Sequence, residues 1–326
     1  VNGIEEVLEQ FAAAAGVTAD EVKAHRALRD RVADVLTGDI AGGVGRGAIE
    51  VLRLVDAGSF RHGTAVRGAS RFDVFVVQGG ARPKSLARVL QGIRAAVQDA
   101  LPDLSVSTTS DSVLVDAPTA DREREARAGA DARTGADARS GIDARSADAP
   151  VAVRLRLIPA VEAPDDAGSA VVAIPDAARR WVLNRPGARE QLIDRIDDSH
   201  LRSLIRLLLV WKHVNRVPVS SYYLETAVVR QALRQPSFNL LWDLCWAFEQ
   251  LAHDDLVGLP DLSSPSQVQK VRAAETLGRR IEAQGPIDEA AVHAREAVNA
   301  YLDDDRPVVD ARLTELFGPS FATFDR

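Results

Sequence analysis

One acid, Asp73, opens the apolar run Phe72–Val77, directly behind the glycine-rich stretch GSFRHGTAVRGASR at residues 58–71. A glycine–serine turn that opens toward a helix presents backbone N–H groups and a hydroxyl, and glycine lets a ligand approach the main chain closely. Gly58 and Ser59 therefore suit phosphate oxygens. Carboxylates on adjacent strands would hold the divalent ions that accompany a triphosphate. Asp73 suits that second role, yet a guanidinium, Arg71, stands two residues before it. The chemistry suggested by the turn is opposed by the charge beside the acid. Ser59 taken alone also serves as an ordinary turn residue.

The elements that must position these residues follow from periodicity. Residues 3–15 and 19–37 carry apolar side chains at helical spacing, with Thr18 as an N-terminal cap. Residues 46–56 read as a helix or a strand feeding the Gly58-Ser59 turn. Phe72–Val77 is a nearly continuous apolar run of strand length, as expected for a strand buried on both faces. An amphipathic helix over 83–100 and strands over 104–108 and 112–115 follow. Val151–Ile158 alternates and reads as a strand ended by Pro159. From about Asp176 the pattern is helical, with candidates at 187–197, 198–215, 220–234, 238–253, 266–283, 287–302 and 307–316.

Between the strands lies a segment of another kind. Residues 129–146 repeat as GADART, GADARS and GIDARS. Such small and charged side chains bury too little surface to offset ordering entropy, so 117–150 reads as a solvated insertion. Its alternating Asp and Arg balance, which argues against a polyanion-binding tail.

Composition narrows the function classes. The chain has 326 residues, 46% hydrophobic, enough for one large domain or two closely packed ones. A net charge of −7 removes any global electrostatic argument for nucleic acid. One cysteine, Cys245, excludes an internal disulfide and a cysteine-rich zinc site, and its apolar helical setting suggests core. Trp242 and Trp246, four residues apart on that helix, also read as core. The longest apolar runs, such as Leu207–Trp211, are too short to span a bilayer. An acidic, helical start does not resemble a signal peptide, and the expectation is a cytoplasmic protein.

Four patches in order resemble the template-independent nucleotidyltransferases, the group that includes oligoadenylate synthetase, cyclic GMP-AMP synthase and the bacterial CD-NTases (SMODS domain). They are GSFRHGTAVRG at Gly58–Gly68, the strand Asp73–Val77, the ending LIPA at Leu157–Ala160, and LIRLLLVWK with SSYYLE at Leu204–Lys212 and Ser220–Glu225. IPD…RRWVLNRP at Ile174–Pro186 and LFGPSF at Leu316–Phe321 are weaker echoes. The resemblance implies an α+β fold: a polymerase-beta-like nucleotidyltransferase core (1–195, carrying the insertion at about 117–150) and a C-terminal helical domain (196–326). It also implies that Lys212, Ser221 and Tyr222 hold the donor triphosphate and stack its base. SSYYLE equally suits a helix start, with serine capping and Glu225 closing the box, and Lys212 equally suits a helix end.

This chain departs from the family at its metal site. Active relatives carry G-x-S-D-x-D after the glycine-rich stretch, and here the residues are Gly68-Ala69-Ser70-Arg71-Phe72-Asp73. The family's third acid falls on Arg156, and its donor lysine aligns on Leu209, with Lys212 one turn away. Three aspartates would total −3; Arg71, Asp73 and Arg156 total −1 + 2 = +1. Guanidiniums offer Mg²⁺ no oxygen, and two like charges about 4 Å apart repel by roughly 4 kcal/mol at an effective dielectric near 20. Asp73 is expected to pair with one or both arginines. Alternatively, Arg71 and Arg156 fork onto phosphate in place of the metals.

Three functions therefore stand side by side. The first is a catalytically inactive CD-NTase-like protein of bacterial antiphage (CBASS-type) signalling, without a cofactor. It would bind a nucleotide, a cyclic oligonucleotide or a protein partner from the same defence operon. The second is an active Mg²⁺-dependent synthase of cyclic di- or trinucleotides, with Asp56 or Glu162 completing the metal site. The third is a scaffold closed by its own ion network. None calls for a membrane or for nucleic acid.

Overall fold

The structure is a computed structural model that describes residues 3–38, 50–118, 152–163, 170–176, 180–196, 200–234, 239–265 and 268–322. The hexad repeats at 129–146 lie outside the described residues. The chain forms two compact units, one of Thr18–Arg61 and Ser70–Gly187, the other of Val1–Val17, His62–Ala69 and Ala188–Arg326.

The first unit is built on a mixed sheet. Its strands are β1 (Val51–Ala57), β2 (Phe72–Gln78), β3 (Ser105–Thr108), β4 (Val113–Asp116), β5 (Arg154–Ala163), β6 (Val171–Pro175) and β7 (Trp181–Asn184). Their order is β1-β2-β5-β4-β3, with β6 paired to β5 and β7 to β6. Among the described strands β2 and β5 run parallel and the other pairs antiparallel. One face carries Phe72, Val74, Val76, Leu155, Leu157, Val113 and Val115. Helix α2 (Ala19–Thr37) covers it with Leu28, Val32 and Leu36, and α4 (Leu86–Ala100) with Val89, Ile93 and Val97. α2 starts where the sequence indicates: the Thr18 hydroxyl accepts the Glu21 amide and the Glu21 carboxylate accepts the Thr18 amide at 2.7 Å.

Of the two alternatives for the segment before the glycine–serine turn, residues 51–57 form the strand. One local reading needs correction: β5 continues through Pro159 to Ala163 rather than ending there. The register gives the reason. Pairing with β4 ends at Leu157 and pairing with β6 begins at Val161, so the proline sits where that side of the strand changes neighbours.

The second unit is helical. It holds α1 (Ile4–Ala14), α5 (Ala188–Ile196), α6 (His200–Val214), α7 (Ser221–Ala232), α8 (Leu240–His253), α9 (Leu277–Leu302), α10 (Arg306–Phe317) and α11 (Pro319–Ala322), with a short ribbon, β8 (Leu259–Pro260) and β9 (Lys270–Val271). Trp211, Tyr223, Phe248, Phe317 and Cys245 lie in its core. Phe11 packs on Phe317 and Phe321, with ring centroids 5.5 and 5.0 Å away. The LFGPSF echo is thus a core closure. Two helical segments expected at 266–283 and 287–302 are one helix from Leu277, which runs through Pro286. Trp246 is 40% exposed, so only Trp242 of that pair packs against the core.

Candidate functional site

In the sheet unit the chemistry gathers where β2 and β5 begin. A short helix, α3 (Gly58–His62), follows β1 directly and starts at the glycine–serine turn. Gly58 has φ +65°, and a Cβ placed there would overlap the Asp73 carboxylate. Glycine is therefore required twice over, by backbone conformation and by space. Phe60 anchors the turn from inside, packed on Phe72 at 5.0 Å and on the buried His25 ring at 4.6 Å.

The parallel register sets Asp73 opposite Arg156, and the antiparallel register sets Ala57 opposite Asp73. Arg156, where the resemblance implies a third acid, is thus a direct neighbour of Asp73. Arg71 Nη1 lies 2.6 Å from Asp116 Oδ1 at the end of β4. Arg156 Nη2 lies 2.8 Å from Asp111 Oδ2, and its Nε donates to Ser112 Oγ at 3.0 Å. Thr109 and Ser112 hydroxyls donate to Asp111 Oδ1 at 3.0 and 2.9 Å. Burial works to raise the Asp111 carboxyl, but the Arg156 charge and these hydrogen bonds hold it below the usual carboxylate range. Arg154 stands opposite Asp116 in the register; burial first, then the Arg71 charge, lowers its pKa.

Asp73 stands opposite Arg156 in the register, and two further acids, Asp116 and Asp111, meet the arginines. Neither was singled out in sequence. A buried guanidinium demands a counter-charge, which was one usable signal. Which acids supply it depends on how the β3–β4 hairpin pairs with β5. Arg71, Arg154 and Arg156 with Asp73, Asp111 and Asp116 total +3 − 3 = 0, not the +1 of the three motif positions alone.

These residues do not fit a pair of Mg²⁺ ions, which need near-octahedral oxygen ligands. Asp111 and Asp116 are engaged by guanidiniums, and among the described residues no group of three or more His, Cys, Asp or Glu is arranged to hold a metal. The two acids considered as replacements are elsewhere. Asp56 pairs with Val74 in the register, so it points to the face opposite Asp73, where it meets Arg29 at 3.1 Å. Glu162 is six residues along β5 from Arg156, about 20 Å at strand spacing, and is bound to Arg53.

In the helical unit, Lys212 ends α6 and donates to Ser221 Oγ at 2.6 Å. Leu209, the other candidate position, lies in the apolar core. Ser220, as expected of a capping serine, accepts the Tyr223 amide at 3.3 Å. Glu225 closes no capping box. It is buried, 2.6 Å from His62 Nδ1 and 3.9 Å from Arg189 Nη1. Burial works against its charge, but His62 and Arg189 keep its carboxyl below the usual range. Half-buried Tyr222 donates its hydroxyl to Asp261 at 2.9 Å and lies under the Arg189 guanidinium. Burial pushes its phenol up to about 12, so it stays a hydrogen-bond donor at any physiological pH.

No protein-family model matches the sequence, and no curated protein matches it significantly. Solved structures do. The Escherichia coli MS115-1 CdnC structure with ATP superposes with a TM-score of 0.68 at 16% identity, covering 97% of this chain and 98% of that one. The chain has the CD-NTase fold. The Bradyrhizobium diazoefficiens CD-NTase CdnG with GTP (TM-score 0.64, 15% identity, 98% and 97% covered) bears this out. So does the Vibrio cholerae DncV cyclic AMP-GMP synthase with its linear intermediate (0.61, 14%, 95% and 93%). At such identities the likeness establishes the CD-NTase architecture, an α+β nucleotidyltransferase fold with a C-terminal helical region, and leaves activity to the site. Among the described residues no helix is long and apolar enough to cross a membrane.

Proposed function

We propose that this chain binds a nucleotide or cyclic oligonucleotide without a divalent metal, as a catalytically silent CD-NTase-like component of bacterial antiphage signalling of the CBASS type. One observation carries the reading. At the two positions where the resemblance places metal-binding acids stand Arg71 and Arg156, each locked to a carboxylate of its own. Their side chains keep 27% and 35% exposure, and guanidinium forks match phosphate oxygens. With Gly58 and Ser59 they make the phosphate-binding set of the sheet unit, beside Asp73. Lys212, Ser221 and Tyr222 are the triphosphate and base residues of the helical unit. The CdnC and CdnG structures, solved with ATP and GTP, support a nucleotide as ligand. A CdnC complex with a HORMA protein (TM-score 0.67, 16% identity) supports a protein partner, which we place in the same defence operon.

The test is isothermal titration with ATP and GTP, each with Mg²⁺ and with EDTA, beside a radiolabelled-nucleotide turnover assay. Binding that survives EDTA without turnover is expected. Silence in both assays would leave a scaffold closed by its ion network.

A second reading has an observation of its own. Asp116 and Asp111 are each held by one arginine, so a rearrangement of Arg71 and Arg156 together would release two carboxylates. Turnover that vanishes in EDTA would establish that reading, an active Mg²⁺-dependent cyclic oligonucleotide synthase, and refute the first.

A further inference from the structure

We propose that Arg189 is a positioning residue that sets the ring of Tyr222 for stacking against a nucleobase, an inference that rests on the nucleotide-binding reading above. Arg189 lies in the first turn of α5 and is 2% exposed. Its guanidinium carbon sits 4.2 Å from the centroid of the Tyr222 ring. Nη2 donates to Thr226 Oγ1 at 2.9 Å, and the same hydroxyl donates to the Tyr222 carbonyl at 2.6 Å. The arginine therefore holds Tyr222 at its ring directly and at its main chain through Thr226.

The carboxylates around it play another part. Glu225 and Asp261 each approach the guanidinium to 3.9 Å, beyond hydrogen-bond range. Nε and Nη1 find no hydrogen-bond partner among the described residues. The acids neutralise the buried cation, while the ring and Thr226 fix the plane of its fork. Asp261 then fastens the far end of the tyrosine: it accepts the phenol at 2.9 Å, the Ser263 amide at 2.9 Å and the Gln269 side chain at 3.0 Å.

A buried ion cluster of this kind adds little stability over apolar residues of equal volume. What it supplies is a fixed aromatic plane one residue from Ser221, where Lys212 is held. With Arg189 on one face of the ring, a base stacks on the other, and the cation beneath strengthens the platform.

The experiment compares ATP with tripolyphosphate, which has the phosphates and no base, by titration in EDTA. Wild-type protein binds ATP more tightly, and Arg189→Lys, which keeps the charge but loses the planar fork, lowers ATP affinity roughly fivefold while leaving tripolyphosphate unchanged. Loss of overall stability would move both ligands together. If Arg189→Lys does not fold, Thr226→Val, which removes the acceptor and keeps the cation, shifts the ratio in the same direction. An unchanged ATP-to-tripolyphosphate ratio in a folded variant overturns the positioning role and leaves nucleotide binding intact. A wild-type protein that binds neither ligand overturns the underlying reading, before any variant is compared.

Discussion

Replacing both arginines by aspartate, Arg71→Asp with Arg156→Asp, tests whether they have closed a metal site. The six-residue cluster is neutral now, with three arginines and three aspartates. The double variant removes two positive charges and adds two negative ones, 0 − 2 − 2 = −4. Both ion pairs are short, 2.6 and 2.8 Å, with side chains between 12% and 35% exposed. Breaking an exposed pair costs about 1 kcal/mol or less and a buried one about 3–5 kcal/mol, so about 2 kcal/mol each is a fair middle value. In EDTA the variant should therefore lose about 4 kcal/mol, a large share of a typical stability of roughly 5–15 kcal/mol. At about 2–4 °C per kcal/mol, its Tm should fall by roughly 8–16 °C. Mg²⁺ at about a hundred times its dissociation constant would then restore about 2.7 kcal/mol. The assay is calorimetric melting of both proteins across a Mg²⁺ titration. Wild-type Tm should not respond to Mg²⁺, and the variant's should rise by several degrees. A wild-type Tm that climbs with Mg²⁺ would refute the reasoning, because carboxylates held by Arg71 and Arg156 would then be reaching the ion. So would a variant as stable in EDTA as the wild type.

Two further predictions follow from individual side chains. Asp243 is buried near the start of α8; burial first, then the Glu5 charge, pushes its carboxyl from 3.8 up to about 6. A carboxyl raised in the folded state costs nothing below the unfolded pKa and progressively more as pH rises to the folded one, a penalty of about 3 kcal/mol at neutral pH. Asp243→Asn, whose amide oxygen still accepts the Asn239 amide, should therefore stabilise the protein more at pH 7.5 than at pH 5, by about 1 kcal/mol or more; equal Tm gains at the two pH values would count against it. Gly58→Ala and Gly68→Ala share a left-handed backbone, φ +65° and +68°, but only at Gly58 does a Cβ meet Asp73, while at Gly68 nothing lies within 4 Å. Each should lose about 1–2 kcal/mol to backbone strain, and Gly58→Ala alone should also abolish nucleotide binding in titration. Equal binding by the two variants would show that the Gly58–Asp73 contact is not part of the site.

Much of the fold was legible because local rules act over short spans. The cap at Thr18 with Glu21, the apolar run Phe72–Val77 and the helical spacing of α6 to α8 each depend on neighbours within a few residues. Where those rules failed, a distant partner had decided. Pro159 ends a strand in isolation, yet here the change of neighbour from β4 to β6 accommodates it. Trp246 has the spacing of a core residue, yet the packing around α8 leaves it partly exposed. Glu225 lies two residues past the position where a capping box would close, and the buried His62 and Arg189 beside it claim its charge.

The site divides in the same way. By itself the sequence determined the glycine–serine turn, the acid Asp73 and the arginines Arg71 and Arg156, since each of these is a matter of residue type and spacing; that they stand in place of acids is what the resemblance implies. Only the tertiary structure decided what the arginines do. Register placed Arg156 beside Asp73, and hairpin pairing brought Asp111 and Asp116 to neutralise the cluster. Helix packing buried Arg189 under Tyr222. Counter-charges for buried groups are chosen by proximity in space, and residues 45 positions apart meet only once the sheet has formed.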